Sequence, residues 1–291
     1  MGTDDLGVLT EKIPIGKWVA NAIEFIKDNF FHELRAFSGG LDWLLESFAY
    51  FLGLIPPPVF IFLVAAIAFY LHRSVVLVIG VVIGLLLILN IGYWEEMLFT
   101  VVLVSASTIV CILVGVPLGI AAAHRPWLYR MLRPILDLMQ TIPPFVYLIP
   151  TLTFFGLGLV PGLISTVIFA IPAPVRLTHL GISSAPRPLL EAGRAFGASD
   201  MQLLLKVELP HAMPTIMQGI TQCIMLSLSM VVIAALVGAD GLGVPVVRAL
   251  TTVNVAQGFE AGLAIVVVAI VLDRILKQVE RRKGRGGTAT H

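Results

Sequence analysis

The chain has 291 residues, of which 58% are hydrophobic and only 13% are charged. An ordinary soluble domain has about 25% charged residues, so this composition excludes one and indicates an integral membrane protein. The formal net charge of +1 is uninformative as a total. We expect no nucleic-acid partner. We expect no cleavable signal peptide, because Asp4 and Asp5 stand where an early apolar region is required.

Residues 1–54 predict an amphipathic N-terminal arm. Apolar residues recur at helical spacing between positions 17 and 37, with charged residues on the other side, as in a helix lying at a membrane interface. We expect the Ser-Gly-Gly at 38–40 to break this helix, and a second apolar stretch at 41–52 to end at the prolines of 56–58. The arm is interpreted as resting on the membrane surface or on the bundle, with a regulatory or docking role as the alternative.

Seven apolar segments follow the arm and predict about seven transmembrane helices, so the expected fold class is an all-α polytopic membrane protein. The segments are 55–71, 75–94, 97–123, 135–155, 157–175, 214–239 and 257–276. The first two form an accessory pair at 55–94, which could instead be one long or re-entrant segment. Pro143, Pro144 and Pro150 are expected to kink the fourth segment, and Pro172 and Pro174 to bend or end the fifth.

Basic residues in short loops predict the orientation through the positive-inside rule. Four of them lie between the fifth and sixth segments: Arg176, Arg187, Arg194 and Lys206. Five more lie in the tail, residues 277–291, so both this loop and the C-terminus are expected in the cytoplasm. Seven spans then place the N-terminus outside, which suits an arm with eight acidic and four basic residues. If the first pair is a single span, the N-terminus moves inside but the loop does not.

The sequence predicts no catalytic residue, no metal site and no cofactor bound by this chain. No lysine is followed by Ser or Thr, so a Walker A loop for ATP is missing, and the Gly-rich stretch at 238–243 is interpreted as a tight turn. His32-Glu33 has no second ligand at helical spacing, which excludes a zincin site. A disulfide between Cys111 and Cys223 is not expected, because both lie in apolar runs.

Ionisable residues deep in the membrane would favour an ion-coupled carrier or a proton relay. The candidates, Asp137, Glu260 and Asp273, lie near segment ends and are interpreted as interfacial. Glycine pairs at 80/84 and at 115/119 permit close helix packing and indicate nothing more. An ion-coupled secondary carrier therefore remains the alternative class.

The polar stretch at 191–210, EAGRAFGASDMQLLLKVELP, interrupts the apolar pattern and must remain in water. It predicts a short helix, a turn at Gly197, a cap at Ser199 or Asp200, and a second helix that Pro210 ends. The second helix has a small apolar face formed by Met201, Leu204 and Leu205. Such a face suits insertion into a groove on a soluble partner, and packing beneath the chain's own bundle is the alternative.

This stretch resembles the EAA motif of binding-protein-dependent ABC importer permeases, which reads E-A-A, three residues, G, nine residues, I, one residue, L-P. The chain keeps the spacing and departs from it at two positions, Gly193 for Ala and Val207 for Ile. The resemblance implies that the loop couples the permease to its ATPase. The coupling residues it implies are Glu191, Ala192, Gly193, Gly197, Ala198, Ser199, Leu204, Val207, Leu209 and Pro210.

From about residue 136 to 274 the chain is similar to glycine betaine/proline betaine permeases of the ProW type, with choline permeases close by. The segments that carry this resemblance are MQTIPPFVYL at 139–148, FGLG at 155–158, AFGAS at 195–199, AMPTI at 212–216 and LSMVVIA at 228–234. The resemblance implies a type I importer core at 97–276, formed by the third to seventh spans and including the coupling loop at 186–213. It further implies a bacterial cytoplasmic (inner) membrane location.

The same resemblance implies the partners and the solute. Two ATP-binding subunits that carry ATP and Mg²⁺, a periplasmic or extracellular substrate-binding protein and a second permease copy are expected. The expected solute is a quaternary ammonium compound (glycine betaine, proline betaine or choline), with another small solute such as an amino acid as the alternative. Phe145 and Tyr147 are candidates for the solute path through cation–π contacts, although their spacing places them about 200° apart on a regular helix.

Overall fold

The structure, a computed structural model, describes residues 14–285, and every regular element in that range is helical. Thirteen helices are present there, and a π-helical turn at Leu204–Glu208 lies between the tenth and the eleventh. In chain order they are α1 (Ile15–Gly53), α2 (Pro57–His72), α3 (Val75–Ile91), α4 (Trp94–His124), α5 (Pro126–Thr141), α6 (Pro144–Phe155), α7 (Leu159–Ala170), α8 (Pro172–Ser183), α9 (Arg187–Ala195), α10 (Asp200–Leu203), α11 (Leu209–Ala235), α12 (Gly243–Thr251) and α13 (Val255–Arg285). The predicted all-α architecture is confirmed.

Four continuous helical stretches are long and apolar enough to cross a membrane: Trp94–His124, Leu159–Ser183, Asp200–Ala235 and Val255–Ile275. Two further pairs, α1 with α2 and α5 with α6, meet the same test together but are each bent by 96°. Helix α3 is apolar and has 17 residues, which is about 26 Å of helix. Each of the seven predicted segments corresponds to one of these helices or helix pairs, and α2 and α3 are separate helices joined by a turn at Arg73.

The N-terminal arm departs from its prediction. Helix α1 runs without a break through residues 38–40, and its irregular point is Phe30 (φ −121°, ψ 21°). The predicted break at 38–40 is therefore wrong. Ser38 is buried and its hydroxyl donates to the carbonyl of Phe155 (3.2 Å). This tertiary contact stabilises the helical conformation at 38–40, although the two glycines there have low helix propensity. The first 13 residues of the arm lie outside the described range.

The fourth predicted segment, 135–155, is divided between α5 and α6 by a 96° bend at Pro143 and Pro144, so the predicted kink is confirmed. Two contacts hold α5 against α8. The rings of Tyr129 and His179 stack with centroids 3.5 Å apart. Arg176 donates to Asp137 at 2.6 Å.

The two other acidic residues near segment ends differ in exposure. Glu260 is exposed, while Asp273 is buried against other residues of the chain. The interpretation of both as interfacial residues stays a prediction. The carboxylate of Asp273 lies on α13, the last membrane-crossing helix of the described range.

The core is formed where α4, α8 and α11 pack together, with α7 and α13 beside them. The glycine pair at 115/119 brings α4 close to α8, because a Cβ on Gly119 would lie 2.6 Å from Cβ of Thr178 and 2.7 Å from the carbonyl oxygen of Val175. At 80/84 only Gly84 lies in such a contact, where a Cβ would lie 2.7 Å from Cγ1 of Val267. Small residues therefore set the spacing of these helices.

The Gly-rich stretch at 238–243 is a tight turn, as predicted. Gly238 (φ 84°) and Gly241 (φ 135°) have the backbone angles that favour glycine. The Leu242 amide donates to the hydroxyl of Thr100 (2.8 Å), which joins the turn to the first residues of α4. Cys111 and Cys223 are both buried and free, so the two do not form a disulfide.

Candidate functional site

The polar loop is built from two short helices, and Gly197 forms the turn between them. The Ala198 amide donates to the carbonyl of Gly193 (3.0 Å) and the Gly197 amide to the carbonyl of Arg194 (2.9 Å). These two bonds, with Gly197 at φ 79°, form a Schellman motif that ends α9. The predicted turn at Gly197 is confirmed.

Ser199 begins the second helix through a capping box. Its hydroxyl accepts from the Gln202 amide (3.4 Å), and its own amide donates to the side chain of Gln202 (2.9 Å). Of the two predicted caps, Ser199 or Asp200, the structure therefore selects Ser199. The turn and the cap together give the loop a defined local shape.

Leu203 anchors the loop, and it was missing from the predicted apolar face. Its side chain is 3% exposed, whereas Met201 and Leu205 are 63% and 55% exposed and Leu204 is partly buried. A Cβ on Gly193 would lie 2.5 Å from Cδ2 of Leu203. Glycine in place of the motif's second alanine therefore leaves room for the anchor.

Pro210 does not end the second helix, so that prediction is wrong. The chain stays helical from Asp200 to Ala235, 36 residues in all. The π-helical turn at Leu204–Glu208 precedes the proline, and the Leu209 amide donates to the carbonyl of Leu204, five residues back. Proline lacks an amide donor and crowds the preceding turn, and the wider turn accommodates it.

The remaining motif residues divide into an exposed and a packed set. Glu191, Ala192 and Pro210 are exposed, and no residue of α9 is buried. Val207 and Ala198 are half-buried, and Leu204 and Leu209 pack against the core. Phe196 at the tip is 92% exposed. The loop thus offers one outward surface and rests on the bundle through the other.

A contact between His124 and Glu208 at the base of the loop was not foreseen. Nε2 of His124, the last residue of α4, lies 2.8 Å from Oε2 of Glu208. The residues are 84 positions apart, and Glu208 is 8% exposed. Glu208 occupies the unspecified position between Val207 and Leu209, so no local pattern could have indicated its partner.

Phe145 and Tyr147, the candidates for the solute path, lie in different surroundings. Phe145 is exposed, and the Tyr147 hydroxyl donates to the carbonyl of Met139 (2.8 Å). That carbonyl would accept from residue 143 in a continuous helix, where Pro143 has no amide hydrogen. Tyr147 therefore supplies the missing donor across the bend between α5 and α6.

Within residues 14–275, whose side chains the structure describes apart from Ile15, no three His, Cys, Asp or Glu side chains are grouped closely enough to hold a metal ion. The geometry of the loop is that of a surface for contact with another molecule. It offers exposed apolar side chains on a rigidly capped turn, next to the end of the chain's longest apolar helices.

Comparison with known proteins agrees with this geometry. Residues 115–285 match the family described as binding-protein-dependent transport system inner membrane component. The chain is 45% identical over 279 residues to the glycine betaine transport system permease protein OpuAB of Bacillus subtilis, covering 96% of this chain and 98% of the relative. It is 42% identical over 269 residues to the glycine betaine/proline betaine transport system permease protein ProW of Escherichia coli, covering 92% and 76%. The resemblance stated from the motif segments is confirmed, and these relatives are named as transport permeases, not as enzymes.

Among solved structures, the fold is similar to a chain of the MetNI methionine ABC transporter in inward-facing conformations. The TM-score is 0.56 and the sequence identity 24%, over 68% of this chain and 95% of the other. That likeness confirms the predicted type I importer fold. The family match over residues 115–285 and the relatives at 42–45% identity replace the alternative of an ion-coupled carrier, and the chain belongs to the family of binding-protein-dependent transport system inner membrane components.

Proposed function

We propose that this chain is the membrane-spanning subunit of an ATP-driven, binding-protein-dependent importer of quaternary ammonium compatible solutes. The observation that carries the proposal is the loop at 191–210, a capped, rigid turn with an exposed apolar tip on a membrane-embedded family member. The solute class is supported by the printed names of OpuAB and ProW, which both contain glycine betaine. Glycine betaine, proline betaine and choline share the quaternary ammonium group.

The loop is the surface on which a soluble ATP-binding subunit docks. Phe196, Met201 and Leu205 are apolar yet exposed, and they lie among charged residues. Exposed apolar side chains of this kind are typical of a surface that another protein covers. Glu191, also exposed, is free to make polar contacts at the edge of that surface.

The assembly contains two copies of this chain, two ATP-binding subunits and a substrate-binding protein. ATP and Mg²⁺ bind to the ATPase subunits, since the chain has no Walker A lysine. Closure of the two ATPases moves the two loops and rocks the spans between inward-facing and outward-facing states. The loop and the C-terminus face the cytoplasm of a bacterium, and the N-terminal arm lies on the outer side.

Co-purification and uptake test this proposal together. We expect tagged chain to bring down an ATP-binding subunit, and cells that express the complex to accumulate radiolabelled glycine betaine. Proline betaine or choline in excess should compete with uptake, whereas an amino acid should not. Competition by an amino acid alone would refute the solute class, and uptake without any ATPase partner would refute the mechanism.

A matched pair of variants tests the docking surface. Phe196→Asp places a charge on the exposed tip and should abolish recovery of the ATPase while leaving the amount of chain in the membrane unchanged. Leu157→Asp is the control, because Leu157 is comparably exposed (74%) but lies beside the 238–243 turn. Equal recovery of the ATPase with both variants would refute the assignment of the loop.

A further inference from the structure

We propose that His124 and Glu208 form a hydrogen-bonded pair that transmits movement of the loop into α4, the third predicted span. Both are positioning residues, because neither would touch solute or nucleotide. The inference rests on the proposed function, since it assigns the path by which a docked ATPase moves the membrane helices.

The hydrogen-bond geometry ties His124 to two oxygen atoms. Nε2 of His124 faces Oε2 of Glu208 at 2.8 Å, and Nδ1 faces the carbonyl oxygen of Ile120 at 3.0 Å. Both ring nitrogens thus point at oxygen atoms, and a carbonyl oxygen can only accept. The Ile120 carbonyl accepts from Nδ1–H, and one proton between Nε2 and the Glu208 carboxyl group completes the second bond.

Burial makes the pair mutually dependent. The side chain of Glu208 is 11% exposed and that of His124 is 46% exposed. A carboxylate withdrawn from water to that extent is unfavourable without a partner, and His124 supplies one. Replacing either residue therefore removes this contact, and replacing His124 leaves the buried Glu208 without its partner.

The location of the pair determines what it connects. Glu208 is the last residue of the π-helical turn, where the loop continues into α11. His124 is the last residue of α4. A displacement of the loop consequently reaches α11 through the chain itself, and the pair adds a direct polar link to the end of α4 beside the packing of α11 on α4.

The rest of the loop base is packed in a way that favours movement as a unit. Leu203 is buried under α9, and a Cβ on Gly181 of α8 would lie 3.0 Å from Cβ of Ala212 on α11. Helix α9 has no buried residue, so its outer face remains available to a partner. The base of the loop and α8 therefore pack together through α11, and the His124–Glu208 pair connects them to the end of α4.

The test measures solute transported per ATP hydrolysed in the complete reconstituted complex. We expect His124→Ala and Glu208→Ala to retain the ATPase but to lower this ratio by about tenfold, the effect of losing one hydrogen bond to a buried carboxyl group. The double variant should be no worse than either single variant, because the pair acts as a unit. Asp137→Ala, which breaks the pair with Arg176 on α8 without touching the loop, is the control and should leave the ratio unchanged.

Two further variants guard against a loss of folding. Glu208→Gln keeps an oxygen acceptor at nearly the same volume, so it should assemble normally and lower the ratio less than Glu208→Ala. The exchanged variant, His124→Glu with Glu208→His, should recover transport lost in the single variants. Unchanged ratios in both alanine variants, or additive losses without recovery in the exchanged variant, would overturn the pair. Failure of the wild-type complex to import solute would instead refute the proposed function.

Discussion

Substitution of Gly197 tests whether the shape of the loop is needed for coupling. Gly197 has φ 79°, and a Cβ built on it meets no atom within 4 Å. A side chain there therefore causes no clash, and its whole cost is conformational. For an L-residue in the left-handed region that cost is about 1–2 kcal/mol, or roughly 5–30-fold in the equilibrium between the capped and the opened loop.

Three variants separate strain from charge. Gly197→Val combines a β-branched side chain with positive φ. We therefore expect solute-stimulated ATPase activity and uptake both to fall by about 5–30-fold. Gly197→Asn tolerates the left-handed region and should stay close to the wild type. Gly197→Asp has a similar shape but adds a charge beside the exposed Phe196, so it should assemble in the membrane and lose both activities.

The assays are the amount of chain in the membrane, the ATPase co-purified with it, and uptake of radiolabelled glycine betaine. Membrane amounts should be equal in all three variants, since Gly197 is exposed and lies outside the core. Full uptake and full ATPase stimulation by Gly197→Val would refute the argument that the turn geometry is required. Equal activity of the Asn and Asp variants would refute the role of the tip in docking.

Two further predictions concern the membrane helices. Tyr147→Phe removes the donor to the Met139 carbonyl across the bend and should lower the free energy of unfolding by about 1 kcal/mol, seen as a lower Tm in detergent, with solute selectivity unchanged. A change in selectivity would instead support the predicted place of Tyr147 in the solute path. Gly119→Ala places a Cβ 2.7 Å from the backbone oxygen of Val175 and should destabilise the chain by about 1–3 kcal/mol. Gly80→Ala is the control and should not destabilise the chain, because a Cβ there meets no atom within 4 Å. Equal thermal stability of the two alanine variants would contradict the packing argument.

The sequence determined the features that depend on local chemistry. Long apolar segments can only be helices in a bilayer, so the all-α fold followed from composition. The turn at Gly197 and the cap at Ser199 followed from the backbone preferences of glycine and serine at helix ends. The frame of the EAA motif also followed, because it is a fixed spacing of residues in one stretch.

Tertiary structure alone decided the features that depend on contacts between distant residues. Ser38 keeps α1 helical through two glycines by contact with Phe155, 117 positions away. Burial of Leu203, rather than of Met201 or Leu205, depends on which face of α10 meets Gly193. At residues 38–40, packing outweighed the low helix propensity of two glycines.

The base of the loop shows the same division most clearly. Pro210 indicates the end of a helix by its local chemistry, yet a π-helical turn carries the helix past it. Nothing in the sequence indicates the contact between His124 and Glu208, because they are 84 residues apart. They come together only where the end of α4 lies beside the start of α11. The motif therefore identified where the chain meets its partner, and the fold determined how that contact is connected to the membrane helices.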